Sequence, residues 1–123
     1  MNTSFLQKSN EGNRSASLKK EIIRLLVAGS TYSIADISKE MSVSVPTITK
    51  LIGELICEGF VLDFGKQGTN GGRRPNVYGL NPDAGFFVGV DINKDSISLG
   101  VINFKGEMTE YTGKKPFVLE NTF

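Results

Sequence analysis

The chain has no histidine and no tryptophan, and it has a single cysteine, Cys57. A lone cysteine cannot form a disulfide within the chain, and without histidine the common zinc sites and histidine-based catalytic relays lack their ligands. We therefore expect no metal, no cofactor and no enzyme of these classes, and we interpret Cys57 as a small packing residue. No apolar run approaches the roughly 20 residues that a membrane helix needs. The N-terminus also lacks the features of a secretory signal, so a cytoplasmic protein without membrane contact is expected.

The charges are unevenly distributed along the chain. Residues 1–82 hold ten Lys/Arg and seven Asp/Glu, a balance of +3, whereas residues 83–123 hold four and six, a balance of −2. A mildly basic first part permits a nucleic-acid partner without requiring one.

The N-terminal half has the pattern of three helices. Residues 1–16 are polar and rich in Ser and Asn, which predicts a flexible arm. Apolar residues then recur at helical spacing from Ser17 to a stop at Gly29. Ser33 and Asp36 are spaced as a capping pair for a short second helix that ends near Met41.

The third helix is predicted to bury one side and expose the other. Ser44 is placed to cap it, and its first turn tolerates Pro46, whose missing amide would have no intrahelical partner there. The buried stripe is Ile48, Leu51, Ile52, Leu55 and Ile56. The other side and its flanks carry small residues and one cation: Pro46, Thr47, Thr49, Lys50 and Gly53. Such a surface fits a DNA major groove, where Thr47, Thr49 and Lys50 can contact bases or phosphates and Ser44 suits a phosphate.

A hairpin is predicted to follow the helices. Gly59 ends the third helix, and Phe60, Leu62 and Phe64 alternate onto one face of a strand. A second strand near residues 76–80 can pair with it, and the loop between them, residues 65–75, is rich in glycine and cations. Two strands joined by such a loop form a wing. Arg73 and Arg74 would enter the adjacent minor groove, and Gly71 and Gly72 would let the backbone come close to the DNA.

A different interpretation is open for the same pattern. Three-helix cores with a hairpin also serve as protein-interaction modules, and a polar helix face with one lysine is usually only solvated surface. The paired arginines among glycines favour DNA, since an exposed loop of that composition has little structural purpose. Lys66 and Gln67 are interpreted as ordinary solvated residues.

Residues 83–123 alternate like strands and contain no helix pattern. Two strands are predicted around residues 86–92 and 97–101, and a third near residues 108–111. Because about 40 residues have little apolar surface with which to cover such a sheet, we expect exposed apolar strand faces. The segment is then either poorly ordered or paired with a second copy through its sheet.

Two stretches of the sequence resemble the repressor branch of the ROK family (repressors, open reading frames and sugar kinases). SVSVPTITKLIGELICEGFV, residues 42–61, resembles the family's DNA-contacting helix, and GTNGGRRPNVYGL, residues 68–80, resembles its wing. GFFVGVDINKDSISLGVINFKGEM, residues 85–108, resembles the opening strands of the family's actin-like ATPase-fold domain. The resemblance implies sequence-specific repression of sugar-utilisation genes, with Thr47, Thr49, Lys50, Arg73 and Arg74 in contact with double-stranded DNA. Because one such helix covers only a few base pairs, we expect a homodimer on a palindromic operator.

The resemblance is incomplete at the nucleotide site of the family's kinases. Their phosphate turn has an Asp-x-Gly pattern, but here Asp91 is followed by Ile92, Asn93, Lys94 and Asp95. The side chain of Asn93 and the carboxylate of Asp95 would obstruct or repel phosphate. The segments that carry the family's sugar-binding and catalytic residues are also absent from the 123 residues. We therefore expect either a truncated product or a regulator without its own effector pocket, and a sugar or phosphosugar effector only if the missing domain is present. A sugar-kinase relative remains the alternative function.

The expected fold class is α+β. A flexible arm, residues 1–16, precedes a three-helix winged helix-turn-helix domain, residues 17–82. A short β-meander, residues 83–123, follows as the fragment of an actin-like ATPase fold that the resemblance implies.

Overall fold

The computed structural model describes residues 3–67 and 74–118, with only the backbone for residues 3–10. Two compact units make up the chain, Met1–Asn81 and Pro82–Phe123. The three α-helices and one three-stranded sheet belong to the first unit, and a second three-stranded sheet forms the other. The α+β class, with three helices, a wing hairpin and a β-meander, is confirmed. None of the helices in the described ranges is long and apolar enough to span a membrane.

The first helix is longer than the sequence predicts. Helix α1 spans Thr3–Ala28, so the segment expected to be a flexible arm, residues 1–16, is helical from Thr3 onward. No proline interrupts residues 3–28, and Gly12 is the one glycine before the helix ends. Once a helix is nucleated, each added residue gains a hydrogen bond, so a single glycine at a cost of about 1 kcal/mol does not stop it. The predicted end is confirmed, since the Gly29 amide closes the last turn on the Leu25 carbonyl.

Helices α2 (Ile34–Met41) and α3 (Val45–Cys57) form the other two sides of the core. Helix α3 contacts both α1 and α2. The fully buried side chains come from all three helices and from two strands: Ile22, Ile37, Ile48, Leu51, Ile52, Leu55, Val61 and Leu80. Ile56, predicted as part of the buried stripe, is instead 37% exposed because it lies at the edge of that stripe.

A three-stranded antiparallel sheet completes the first unit. Its strands β1 (Tyr32–Ser33), β2 (Val61–Lys66) and β3 (Asn76–Leu80) lie in the order β1-β3-β2. The hairpin of β2 and β3 agrees with the predicted wing strands. Gly79 allows this sheet to approach the turn before α2, since a Cβ there would lie 2.9 Å from the Ser30 carbonyl oxygen.

Lys19 links α1 to the C-terminal half of α3. Its Nζ lies 2.9 Å from Glu54 Oε2 and 2.5 Å from Glu58 Oε1. Hydrogen bonds to these two carboxylates raise the pKa of Lys19, and the bond from Lys19 lowers the pKa of Glu54. All three side chains are partly open to solvent, so these ion pairs orient α1 against α3 more than they stabilise the fold.

The start of α2 is fixed by a capping box. Ser33 Oγ accepts from the Asp36 amide at 3.1 Å and donates to Asp36 Oδ2 at 2.7 Å, and the Ser33 amide donates to the same carboxylate. The sequence prediction of this pair is confirmed.

Removing the capping hydroxyl is expected to destabilise the first unit. Ser33→Ala should lower the free energy of unfolding by about 1 kcal/mol, since it leaves an amide of the first turn without its partner. Urea unfolding followed by helical circular dichroism measures this. Ser17→Ala, at an exposed site inside α1, is the matched control and should leave stability unchanged or slightly higher. Equal effects of the two changes would contradict the capping role.

The second unit is an antiparallel meander. A 3-10 turn at Pro82–Ala84 leads into β4 (Phe86–Ile92), β5 (Ser96–Asn103) and β6 (Met108–Pro116), in the order β4-β5-β6. Asn103 holds the β5–β6 turn, since its Oδ1 accepts from the amides of Lys105 and Glu107. The predicted exposure of apolar strand faces is confirmed: side chains 53–63% exposed include Phe86, Phe87, Val88, Val90, Ile92, Met108 and Tyr111.

Candidate nucleic-acid interface

The turn between α2 and α3 is held by a compact set of hydrogen bonds. Ser42 takes a left-handed conformation, with φ 54°, and its amide donates to the Lys39 carbonyl. The Val43 amide donates to the Ser38 carbonyl at 3.1 Å, and the Ser38 hydroxyl donates back to the Val43 carbonyl. These bonds fix the direction in which α3 leaves the turn. The two helices and their three-residue turn have the helix-turn-helix arrangement.

The first two turns of α3 present the predicted polar surface. We define the α3 face as Ser44, Val45, Pro46, Thr47, Thr49 and Lys50. All of these are exposed except Thr47, which is half-buried, and the intervening Ile48 is fully buried. The structure thus brings together the five predicted residues of this helix. Val45, which the sequence reasoning did not select, joins them with 50% exposure.

The hydroxyl groups of the α3 face are already engaged within the helix. Ser44 precedes the helix as predicted, but its side chain does not cap a backbone amide. Its hydroxyl lies 2.8 Å from the Thr47 hydroxyl instead, because Thr47 stands one turn further along the helix and offers a competing partner. Thr49 donates its proton to the Val45 carbonyl at 2.8 Å. Thr49 therefore offers an acceptor oxygen and a methyl group to a partner, and the cationic donor of the α3 face is Lys50.

The charges of α3 are separated along its length. Lys50 stands in the N-terminal half, while Glu54 in the C-terminal half and Glu58 directly after the helix are both bound by Lys19. Lys50 makes no ion pair with any described carboxylate, although its charge adds to the lowering of the Glu54 pKa. The exposed cation is consequently available for an external anion.

Asp63 fixes the base of the wing. Its Oδ1 accepts from the Gly65 amide at 2.7 Å, and its Oδ2 accepts from Asn76 Nδ2 at 3.1 Å. The register of β2 against β3 is irregular between Asp63 and Lys66, and Gly65 has a φ of 71° that favours glycine. The two strands therefore leave the sheet in a defined direction toward the wing loop.

The tip of the wing falls outside the described residues. Gly71, Gly72 and Arg73 belong to the range that the structure does not describe. Arg74, on the β3 side of the loop, is half-buried, and Pro75, Lys66 and Gln67 are exposed. The described part of the chain contains no cluster of three or more His, Cys, Asp or Glu that could hold a metal ion.

Comparison with known proteins finds relatives with repressor names. No family model matches the chain. Over 87 residues, 71% of the chain, it is 37% identical to a putative xylose repressor of Caldicellulosiruptor sp. (strain Rt8B.4), of which it covers 22%. Over 105 residues, 80% of the chain, it is 36% identical to the xylose repressor of Caldicellulosiruptor bescii, of which it covers 26%. The chain thus spans about a quarter of the length of these curated relatives.

The fold has a counterpart among solved structures. The crystal structure of a ROK family transcriptional regulator, a homolog of the E. coli MLC protein, matches with a TM-score of 0.59 at 19% sequence identity. The match covers 86% of this chain and 26% of that one. A sequence identity of 19% indicates a shared fold only. The two xylose repressors, in contrast, are 36–37% identical to this chain in sequence. The helix-turn-helix, its wing strands and the following meander thus have the fold of a ROK family transcriptional regulator, and the sequence is similar to those of proteins named as xylose repressors.

Proposed function

We propose that the chain is the DNA-binding part of a transcriptional repressor of sugar-utilisation genes. The observation that carries this proposal is the α3 face: a fully packed helix whose exposed side offers small residues and one unpaired lysine directly after a rigid turn. The relatives at 36–37% identity are named as xylose repressors, which supports regulation of pentose or related sugar genes. In this proposal the chain acts by binding, not as an enzyme.

The α3 face is proposed to enter the major groove. Lys50 would reach a guanine edge or a phosphate, and the exposed methyl groups of Val45 and Thr49 would pack against thymine methyls. Ser44, Pro46 and Thr47 at the start of the helix add little bulk, which allows close approach to the bases. Recognition through one such helix covers only a few base pairs, so a homodimer on a palindromic operator is proposed.

The wing is proposed to contact the adjacent minor groove. Asp63 and Asn76 hold its base, and the basic loop carries Arg73 and Arg74 beside Gly71 and Gly72. Arginine side chains favour narrow, A·T-rich minor grooves because negative potential is concentrated there. A cytoplasmic location follows from this proposed role, and a sugar or phosphosugar effector would act through a further domain where one is present.

In vitro selection tests the proposal and does not require that the operator be known. The chain should enrich a palindromic sequence from a random duplex pool, with half-sites about 10 base pairs apart or a multiple of that spacing. Lys50→Ala should weaken or change the enriched half-site, because it removes the cationic donor of the α3 face. Lys20→Ala, at an exposed site of α1, removes the same charge and should enrich the wild-type sequence. Failure of the wild-type chain to enrich any sequence would overturn the proposed function.

A further inference from the structure

A groove between α1 and α3 adjoins the α3 face. It has a volume of about 360 Å³ and is lined by Glu11, Arg14, Ser15, Leu18, Thr47 and Lys50. Thr47 and Lys50 therefore belong to both surfaces, whereas the other four residues come from α1. The segment of α1 that carries Glu11, Arg14 and Ser15 is the one that the sequence predicted to be a flexible arm.

The groove carries a positive charge that has no partner in the described structure. Arg14 and Lys50 contribute two cations, and Glu11 contributes one carboxylate. Every ion pair in the described ranges involves Lys19 or Lys105, so neither Arg14 nor Lys50 is neutralised by contact. A guanidinium and an ammonium that line one groove, together with the Ser15 hydroxyl, form a donor set suited to a phosphate group.

The position of the groove next to the α3 face indicates its occupant. When a helix-turn-helix protein places its recognition helix in the major groove, the sugar-phosphate backbone runs along the flanks of that helix. The α1 side of the α3 face is such a flank, because Lys50 borders both surfaces.

We infer that this groove seats a backbone phosphate of the bound DNA, with Arg14 as a DNA contact from the first helix. The inference rests on the proposed function and extends the interface beyond the α3 face and the wing. Arg14 fixes the position of the domain on the duplex and carries no sequence information, since phosphate contacts are the same for every base pair. Glu11, on the same groove, opposes the phosphate and weakens binding.

Salt-dependent binding of the full 123-residue chain to a random-sequence duplex tests the phosphate seat. Arg14→Gln should lower affinity roughly 5- to 10-fold near 0.1 M salt and reduce the slope of log K against log salt by about 0.9. Arg24→Gln is the matched control. It removes the same charge from an exposed site of the same helix, about 15 Å further along the axis and beyond the Debye length of about 10 Å. It should leave the slope at the wild-type value.

A second variant has an effect of the opposite sign. Glu11→Gln should raise affinity on the same duplex, since it removes the carboxylate that repels the phosphate. Equal slopes for Arg14→Gln and Arg24→Gln, or a fall in affinity for Glu11→Gln, would overturn the phosphate seat. If the wild-type chain binds and Lys50→Ala weakens it while Arg14→Gln behaves like its control, only the seat is wrong. If the wild-type chain shows no salt-dependent binding, the proposed function and the seat both fail.

Discussion

Replacing Arg73 and Arg74 together by alanine is expected to weaken DNA binding about 10- to 100-fold near 0.1 M salt. The two guanidinium groups are proposed to lie in or beside the minor groove, where each neutralises phosphate charge and releases condensed counterions. The slope of log K against log salt should therefore fall by about 2. Fluorescence anisotropy with a labelled A·T-rich duplex, repeated between about 50 and 200 mM salt, measures both quantities.

The chain offers a matched control for the wing variant. Lys114 and Lys115 are also consecutive cations, and both are exposed on β6 in the second unit. Lys114→Ala/Lys115→Ala removes the same two charges, so its affinity and slope should stay close to those of the wild-type chain. Equal losses in the two double variants would mean that net charge alone governs binding, and the wing contact would then be wrong.

The helices were predictable because their signals are local. The bounds of α2 follow from Ser33 and Asp36, whose capping bonds span three residues. The exposed side of α3 follows from helical periodicity, which places Lys50 opposite the buried stripe whatever else the chain does. What periodicity could not give was the state of the hydroxyl groups. Thr49 bonds to Val45, and Ser44 bonds to Thr47, through rotamers that no spacing rule fixes.

The sheet was harder to predict because it depends on residues distant in sequence. Strand β1 has two residues, too few for any alternation, and it exists because Tyr32 and Ser33 pair with Tyr78 and Val77. The alternation of Phe60, Leu62 and Phe64 indicated a single apolar face. In the structure the buried residue of β2 is Val61, while Leu62 and Phe64 are 38% and 51% exposed. Contact with the helices, not hydrophobicity alone, decides which face is buried.

The part of the candidate site that sequence reasoning missed lies on α1. Low hydrophobicity in residues 1–16 indicated an arm, and an arm positions no side chain. A continuous helix from Thr3 instead places Arg14 and Ser15 at a fixed distance along α1 from Leu18. Because the helix continues through this polar segment, its side chains form a surface that can hold a ligand. Composition alone does not predict that the helix continues.

Leu51→Ala is expected to destabilise the first unit by about 3 kcal/mol, within a range of about 2–5 kcal/mol for such changes. Leu51 is 1% exposed and lies on the buried side of α3, which packs against α1 and α2. A domain of this size has about 5–15 kcal/mol of total stability, so the loss is a large fraction of it. Urea unfolding followed by helical circular dichroism reports on this unit, because all described α-helices belong to it.

Val45→Ala on the same helix is the control, since Val45 is 50% exposed and its truncation should cost no more than about 0.5 kcal/mol. Equal costs for the two truncations would contradict the assignment of α3 as a core helix.

Melting with and without DNA distinguishes the role of the buried side of α3 from that of its exposed side. In the proposed function duplex DNA binds the folded state, so it should raise the melting temperature of Leu51→Ala by mass action. Lys50→Ala should melt like the wild-type chain without DNA and gain less from the duplex, because its core is intact and the proposed DNA contact is lost.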